Sequence, residues 1–443
     1  MASARGAALR ALVAVERGRS ERLRPVLDEA GLEGRDAAFA NELAHGVLRR
    51  ERLLDHVVRA FAQRGLPKDP ALLCALRLGA YQLTFVGGVP AHAAVHETVE
   101  LVRQNRAFAN AILRRIADCI APRNADPAAA AAEIALSPTR TLVLPRPLPD
   151  DEVARLAILH SLPDFLAARF RHQHGIVGLR AIAAAASTVP GVFLRAVGGS
   201  RDDLRAALSA DGVESETGTD STVLKWSGGN SPFATDAFRR GRFVVQDPTA
   251  IAAAMAVPCR AGATVVDLCA APGTKTTLLA ERVRPGGRVF AFDPDEARRR
   301  RIVENVARLG FADTVTVVED PAELPVADAV LADVPCSNTG VLGRRVEVRR
   351  RIRPTTMAEM ARVQSGILDR ATSLVRPGGA LVYSTCSIDR EENEEQVAAA
   401  LARPAARGFS LASQHLVLPL AGEHDGGFHA VLHRALPGSA ADG

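Results

Sequence analysis

The sequence predicts a multidomain chain: an all-α N-terminal bundle, a small α+β middle module and a C-terminal α/β domain built on a parallel sheet. Three observations predict it. Apolar residues recur at helical spacing through residues 1–120. The texture turns to Ala and Pro over 121–151. From Phe243 onward, short apolar strands alternate with helical segments. A chain of 443 residues exceeds one ordinary core, and roughly two to four domains are expected.

Each element follows from local pattern. Helical spacing is clear at 8–15, 39–54 and 71–85. Gly65 and Pro67 break one pair of helices, and Gly87, Gly88 and Pro90 another. Phe108, Ala111, Ile112 and Ile116 give the last helix an apolar face. A compact bundle over 1–120 is expected. Residues 121–151 read as a linker, with an Ala run and then Pro138, Pro145, Pro147 and Pro149. Residues 152–235 read as the small module, with a strand at 192–195 and a helix at 201–208. The last domain is set at 236–437. Its strands are expected at 264–268, 288–292, 314–318, 327–332 and 380–384, and its helices at 276–283, 296–309 and 357–375. That alternation implies βαβ units and a sheet covered on both faces.

Composition narrows the function. Hydrophobic residues make up 47% and charged residues 24%, as in a globular protein and not a disordered one. The formal charge is +5 and the pI about 9.1, which suits a polyanionic partner. The six cysteines form no CxxC pair and fit neither a zinc site nor a disulfide framework. No metal is expected. The N-terminus lacks the apolar core of a signal peptide. No run of about 18 apolar residues exists, so no membrane partner is expected. A reducing cytoplasm is the expected location, and a monomer the expected state.

The residues Val265-Val266-Asp267-Leu268-Cys269-Ala270-Ala271-Pro272-Gly273-Thr274-Lys275-Thr276 join an apolar strand to a helix. Ligands of open α/β sheets bind outside the carboxyl ends of strands, and small residues there let the backbone approach them. A second strand ends in Asp293, whose carboxylate can accept hydrogen bonds from ribose hydroxyls. A third ends at Glu319-Asp320, where Asp320 can meet an adenine edge. Many doubly wound nucleotide-binding domains share this much. Neither a phosphate-cradling GxxxxGK[ST] loop nor a full GxGxxG is present.

Two cysteines follow later strands. Asp333-Val334-Pro335-Cys336-Ser337-Asn338-Thr339-Gly340 comes after the fourth, and Tyr383-Ser384-Thr385-Cys386-Ser387 after the fifth. A single such cysteine is ordinarily buried and inert. Two at corresponding strand ends, each flanked by small polar residues, point to chemistry.

These motifs together resemble the NOL1/NOP2/Sun family of RNA cytosine-5 methyltransferases. Cys269–Thr276 is similar to the family's CAAPGGKT, with Thr274 in place of the second Gly. A β-branched residue is strained if that position needs positive φ. The resemblance implies a Rossmann-like class I methyltransferase domain that uses S-adenosylmethionine. It implies a cofactor site at Cys269, Ala270, Ala271, Pro272, Gly273, Thr274 and Lys275, with Asp293, Asp320 and Asp333. It also implies Cys386 as nucleophile, Cys336 as the residue that assists product release, and Asp333 as a contact to the cytosine.

The chemistry explains the thiol. Carbon 5 of cytosine is a poor nucleophile, and thiolate addition at carbon 6 makes it enamine-like. A free Cys has a pKa of about 8.5, so a positive neighbour is expected, with Lys275 and the cofactor's sulfonium as candidates. DNA cytosine-5 enzymes attack with the Pro-Cys cysteine, so two cysteines argue for RNA. The resemblance continues at 241–248, 389–394 and 426–430. It departs at Gly343-Arg344-Arg345-Val346-Glu347-Val348-Arg349-Arg350, where relatives carry an Arg-His-Pro-Asp-like run.

Partners follow from the same reading. Arg344, Arg345 and Arg349, just after Cys336, are expected to contact RNA phosphates. The Arg298-Arg299-Arg300-Arg301 run is expected to be a solvated helix face. Aromatics are only 4% of the chain, so no stacking platform is evident. A paired target base must be flipped out. The N-terminal bundle resembles the RNA-binding NusB domain at 35–43, 76–83, 89–97 and 108–115. That layout implies small-subunit (16S) rRNA as substrate. Two alternatives stay open: an RNA-binding ribosome-assembly protein with impaired catalysis, and a tRNA cytosine-5 methyltransferase.

Overall fold

The computed structural model describes residues 3–123, 132–218 and 221–437. It divides into two compact units, Met1–Ser187 with Gly343–Arg351, and Thr188–Leu342 with Ile352–Gly443.

The first unit begins with seven helices: α1 (Ala4–Glu16), α2 (Leu23–Asp28), α3 (Gly34–Arg49), α4 (Glu51–Phe61), α5 (Pro70–Phe85), α6 (Ala91–Glu100) and α7 (Arg106–Asp118). Sequence sets their starts. Ser3 accepts from Gly6 N–H at the head of α1, and Asp69 accepts from Ala71 and Leu72 N–H with Pro70 at the first helical position of α5. Helix α5 is buried almost all round, so the others wrap it. Three short strands, β1 (Ile120–Pro122), β2 (Glu133–Ser137) and β3 (Arg140–Val143), pair antiparallel in the order β1-β3-β2. Ile134 and Leu142 join the helical core. Residues expected as a bare linker therefore carry a small sheet, while the Ala run at 124–131 lies outside the described residues. Helices α8 (Glu152–Leu159) and α9 (Asp164–Ser187, interrupted at Gly175) also belong to this unit. The boundaries expected at 151 and 235 thus fall inside compact units.

The segment Gly343–Arg351 is held in this unit by charge and packing. Val346 is buried in its core. Arg350 pairs with Glu16 and Glu51. The same two carboxylates, with Asp55, surround the buried Arg77 at 2.7–2.9 Å. Arg349 is buried, and its guanidinium donates to the backbone carbonyls of Arg49 (2.8 Å), His160 (3.1 Å) and Ala186. Burial and the charges of Arg49 and Arg50 pull its pKa down to about 9. The expectation that Arg349 contacts RNA phosphate is corrected: it is buried, and both its terminal nitrogens donate to the protein's own backbone. Arg344 and Arg345 are exposed.

The second unit holds two sheets. The smaller has β4 (Val192–Ala196), β5 (Val213–Thr217), β6 (Val223–Gly229) and β7 (Phe243–Val245), antiparallel in the order β5-β6-β4-β7. Helix α10 (Arg201–Ala210) covers it through Leu204 and Leu208, and the short α11 (Asp236–Arg239) leads into β7. Phe243 closes this small core, so residues assigned to the start of the last domain complete the small sheet.

After α12 (Pro248–Met255) comes the large sheet. Its elements are β8 (Thr264–Asp267), α13 (Thr274–Val283), β9 (Arg288–Ala291), α14 (Glu296–Arg308), β10 (Val315–Val317), β11 (Ala327–Asp333), α15 (Val348–Arg351, part of the first unit), α16 (Pro354–Leu374), β12 (Val375–Thr385), α17 (Glu394–Leu401), β13 (Phe409–Val417) and β14 (Gly427–Arg434). Strand order is β10-β9-β8-β11-β12-β14-β13, with β14 antiparallel to both its neighbours and the rest parallel. Neighbouring residues on a strand face opposite cores. Val265, Leu331 and Val382 pack with Leu279 of α13 and Ile302 of α14. Val266, Val330 and Leu381 pack with Leu368 of α16 and Val397 of α17. Two buried faces explain why these strands read as continuous apolar runs. Among the described residues no helix is long and apolar enough to cross a membrane.

Because Arg349 satisfies backbone carbonyls, Arg349→Met is expected to lower the unfolding free energy of the first unit by about 2–4 kcal/mol. The salt dependence of RNA binding by the folded variant should match wild type. A shallower salt slope with unchanged thermal stability would restore the phosphate role.

Candidate active site

The parallel strands bring five loops to one edge of the sheet. Asp267 ends β8, Asp293 lies just past β9, Asp320 past β10, Asp333 ends β11 and Cys386 follows β12. The predicted residues Cys269–Lys275, Asp293, Asp333, Cys336 and Cys386 therefore share this edge.

The loop after β8 is tightly folded. Gly273 N–H bonds Ala270 O (2.7 Å), and Ala270 N–H bonds Phe292 O (2.9 Å). Pro272 O accepts from Asn305 (2.9 Å). Gly273 has φ of 97°, and a Cβ there would lie 3.4 Å from Ile302. Thr274 is the first residue of α13 and is not among the residues with positive φ. The strain expected at Thr274 is thus absent, because the left-handed position belongs to Gly273.

The carboxylates differ in environment. Asp293 is fully buried and accepts from Ala271 N–H (3.4 Å) and Asp295 N–H (3.2 Å), with Arg298 at 3.2 Å. Arg298, Arg300 and Arg301 are exposed, as a solvated helix face requires, and Arg298 in addition pairs with Asp293. Asp320 is exposed and caps a short turn through Ala322 N–H (2.8 Å). Asp267 is buried, and its Oδ2 accepts from Thr276 (2.7 Å) while Oδ1 has no hydrogen-bond partner. Burial pushes Asp267 up to about 7, opposed by the Thr276 hydrogen bond and reinforced by the Asp333 charge. Burial also raises the Cys269 thiol, with Asp267, Asp333 and Asp293 adding to the effect.

Lys275 connects this loop to the cysteines. Its Nζ donates to Asp333 Oδ2 at 2.6 Å, and Asp333 Oδ1 accepts from Ser384 Oγ at 3.0 Å. Burial opposes the charge on Lys275, but the Asp333 carboxylate outweighs it, with Cys386 and Asp267 helping, so its pKa rises.

The two thiols meet. Strands β11 and β12 pair with Asp333 opposite Ser384. Beyond that pair, Cys336 Sγ and Cys386 Sγ lie 3.2 Å apart, both as free thiols. Cys336 is buried and Cys386 partly exposed. The Cys386 hydrogen bond, then burial, then the charges of Cys386 and Glu392 raise the Cys336 pKa well above normal. Cys386 Sγ is 3.4 Å from Asn338 Oδ1, and Asn338 adopts φ of 62° while bonding Cys336 O (2.8 Å). Gly340 N–H bonds Cys386 O (3.0 Å), and a Cβ on Gly340 would lie 2.4 Å from Gly426 O.

Sequence reasoning missed Asp267, Asn338 and Glu392 as individual site residues. Asp267 and Asn338 sat inside quoted motifs, where burial alone distinguishes them. Glu392 sat in an acidic run within the matching stretch 389–394, where nothing but burial singles it out.

A seven-stranded sheet of this order, with one reversed strand and acidic residues at successive strand ends, defines a class I methyltransferase. Residues 254–431 match the family model described as 16S rRNA methyltransferase RsmB/F, and residues 2–118 match the NusB family. Ribosomal RNA small subunit methyltransferase B of Klebsiella pneumoniae subsp. pneumoniae is 32% identical over 440 residues, covering 94% of this chain and 95% of that protein. The chain belongs to this ribosomal RNA small subunit methyltransferase B family, within the wider Sun group. Membership implies S-adenosylmethionine as methyl donor and rRNA as substrate. The crystal structure of PH0851 aligns with a TM-score of 0.73 at 24% identity, covering 97% of this chain and 98% of that one. NSun6 from Pyrococcus horikoshii with SFG aligns with a TM-score of 0.55 at 20% identity, covering 61% and 98%. At those identities the likeness concerns the fold.

The Asp267 environment predicts a pH signature. Its pKa is raised on folding, so its contribution to stability is full below about pH 4 and is lost as pH rises toward about 7. Asp267→Asn mimics the protonated form. The variant should gain unfolding free energy over wild type as pH climbs through that window, then level off, in denaturant titrations. A pH-independent difference would contradict the buried, raised carboxyl.

Proposed function

We propose that the protein transfers a methyl group to carbon 5 of a cytosine in small-subunit (16S) rRNA through a covalent bond between Cys386 and the base. The observation that carries this reading is the pair of thiols 3.2 Å apart, beside the Lys275–Asp333 ion pair. A structural thiol pair needs no charged neighbours and no exposed member.

The cofactor site fits S-adenosylmethionine. Asp267 Oδ1 is a buried carboxylate oxygen without a partner, which a cationic group on a ligand would satisfy. Residues Cys269–Lys275 would hold the ligand by backbone approach, Asp293 its ribose and Asp320 its adenine edge. Bound there, the cofactor supplies an electrophilic methyl group on a sulfonium.

This chain's residues do the rest. Cys386 adds as thiolate to carbon 6 of the flipped-out cytosine, and carbon 5 becomes nucleophilic. The Lys275 ammonium is electrostatically coupled to Cys386, and a cation there favours the thiolate. Asp333, which Lys275 and Ser384 hold by hydrogen bonds, contacts the base in this reading. Once carbon 5 carries the methyl group, loss of its proton expels Cys386, and Cys336 assists that release. Thr274 at an ordinary helical position removes one motive for the impaired-catalysis reading. Exposed Arg344 and Arg345 are offered as phosphate contacts.

Radiolabel from S-adenosylmethionine should enter 16S rRNA lacking the modification, at a cytosine located by bisulfite sequencing. Cys386→Ala should abolish transfer; full activity in that variant would end the covalent reading. Cys336→Ala should accumulate an RNA adduct that survives denaturing electrophoresis. Normal turnover without adduct would remove Cys336 from product release.

A further inference from the structure

Glu392 is fully buried although it lies in the run Arg390-Glu391-Glu392-Asn393-Glu394-Glu395. Its carboxylate takes four hydrogen bonds. Oε1 accepts from Ser337 N–H (2.8 Å) and Gln364 Nε2 (2.9 Å). Oε2 accepts from Ser387 Oγ (2.6 Å) and from Ser337 Oγ. Ser337 directly follows Cys336, and Ser387 directly follows Cys386. One buried anion thus grips both cysteine loops at the same relative position. Its own backbone is fixed in turn, because Glu392 O accepts from the buried Tyr383 hydroxyl (2.6 Å). Gln364 reaches the residue before Cys336 as well, donating to Pro335 O (2.9 Å).

We infer that Glu392 is a positioning residue for methyl transfer: as a buried carboxylate it locks the two cysteine loops in register, without touching the base. The inference rests on the proposed two-cysteine chemistry.

The direction of the hydrogen bonds explains why a charge is needed. A carboxylate only accepts, so it draws the Ser387 proton toward itself. The Ser387 oxygen is then left to accept from Asp389 N–H (3.1 Å) and from the Thr339 hydroxyl (2.8 Å). Thr339 Oγ1 accepts from Ile388 N–H (3.0 Å), which ties the two loops a second time. A glutamine at 392 would present an amide donor to two hydroxyls and reverse this chain. The anion also faces the buried Cys336 and favours its neutral thiol, which keeps the two sulfurs chemically distinct.

The test uses the full-length protein with Glu392→Gln. The expected result is a kcat for rRNA methylation lower by roughly 100-fold, the scale of a misplaced reacting group. KM values for RNA and for S-adenosylmethionine should stay close to wild type. Independently of methylation, iodoacetamide labelling of each cysteine, read by mass spectrometry against pH, should show the Cys336 profile moved to lower pH by about one unit. Wild-type kcat together with an unmoved profile in folded Glu392→Gln would overturn the inference. So would a loss of melting temperature alone, since a merely structural residue leaves the profile unmoved. If wild type yields no 5-methylcytosine, the function proposed above fails, while a moved profile still supports the role of Glu392 in setting the thiol pair. Should Glu392→Gln not fold, Ser337→Ala and Ser387→Ala each remove one hydroxyl donor. Lowered kcat in both supports the inference, and wild-type kcat in both overturns it.

Discussion

The parallel pairing of β11 with β12 is the constraint on which the chemistry depends. Its register sets Asp333 opposite Ser384, and the two strands end together. A slip of one residue would send the side chains of one strand to the other face and part the Asp333–Ser384 bond. Such a slip is blocked from several directions. Each strand has a second hydrogen-bonded neighbour, β8 for β11 and β14 for β12. Both faces are packed, with Leu331 and Val382 toward one core and Val330 and Leu381 toward the other. The cysteine loops inherit this precision, and Glu392, Thr339 and Ser387 carry it beyond the last paired residues.

The same edge gathers charge. Asp267, Asp293 and Asp333 lie within electrostatic reach of one another, and each raises the pKa of Cys269. Lys275 answers Asp333, and Arg298 answers Asp293. Asp267 receives only a neutral hydroxyl, which leaves it the carboxylate with a strongly raised pKa. A site with this imbalance favours a ligand bearing positive charge, which agrees with a sulfonium cofactor.

Much of the fold was legible because its signals are local or periodic. The five parallel strands and three of their helices were readable from apolar runs and helical spacing, since a sheet covered on both faces leaves unbroken apolar segments. The reversed strand β14 and its edge neighbour β13 were not. Strand β13 is mostly exposed or half-exposed, and its pattern, Phe409 to Val417, has no apolar run to mark it. The cysteines and Lys275 were legible as motifs. Glu392 was not singled out within the matching stretch 389–394, because burial separates it from Glu391 and Glu395, and burial is a property of the folded chain. Arg349 failed for the converse reason. In a run of arginines, composition suggests an anion-binding surface, whereas backbone carbonyls of α3 and two later segments had already claimed this one.

The environments of the two thiols also bear on which of them attacks, a choice that motif comparison alone leaves to analogy. Cys336 is buried, hydrogen-bonded to its neighbour and held protonated by burial and nearby negative charge. A thiol so placed is a poor nucleophile but a suitable partner for a proton. Cys386 is partly exposed and coupled to the Lys275 ammonium, the arrangement that favours a thiolate with access to substrate. Exchanging the roles would require an anion to form beside Glu392 in a dry interior, at a large cost in solvation. On the proposed chemistry, these environments fit attack through Cys386 with Cys336 behind it.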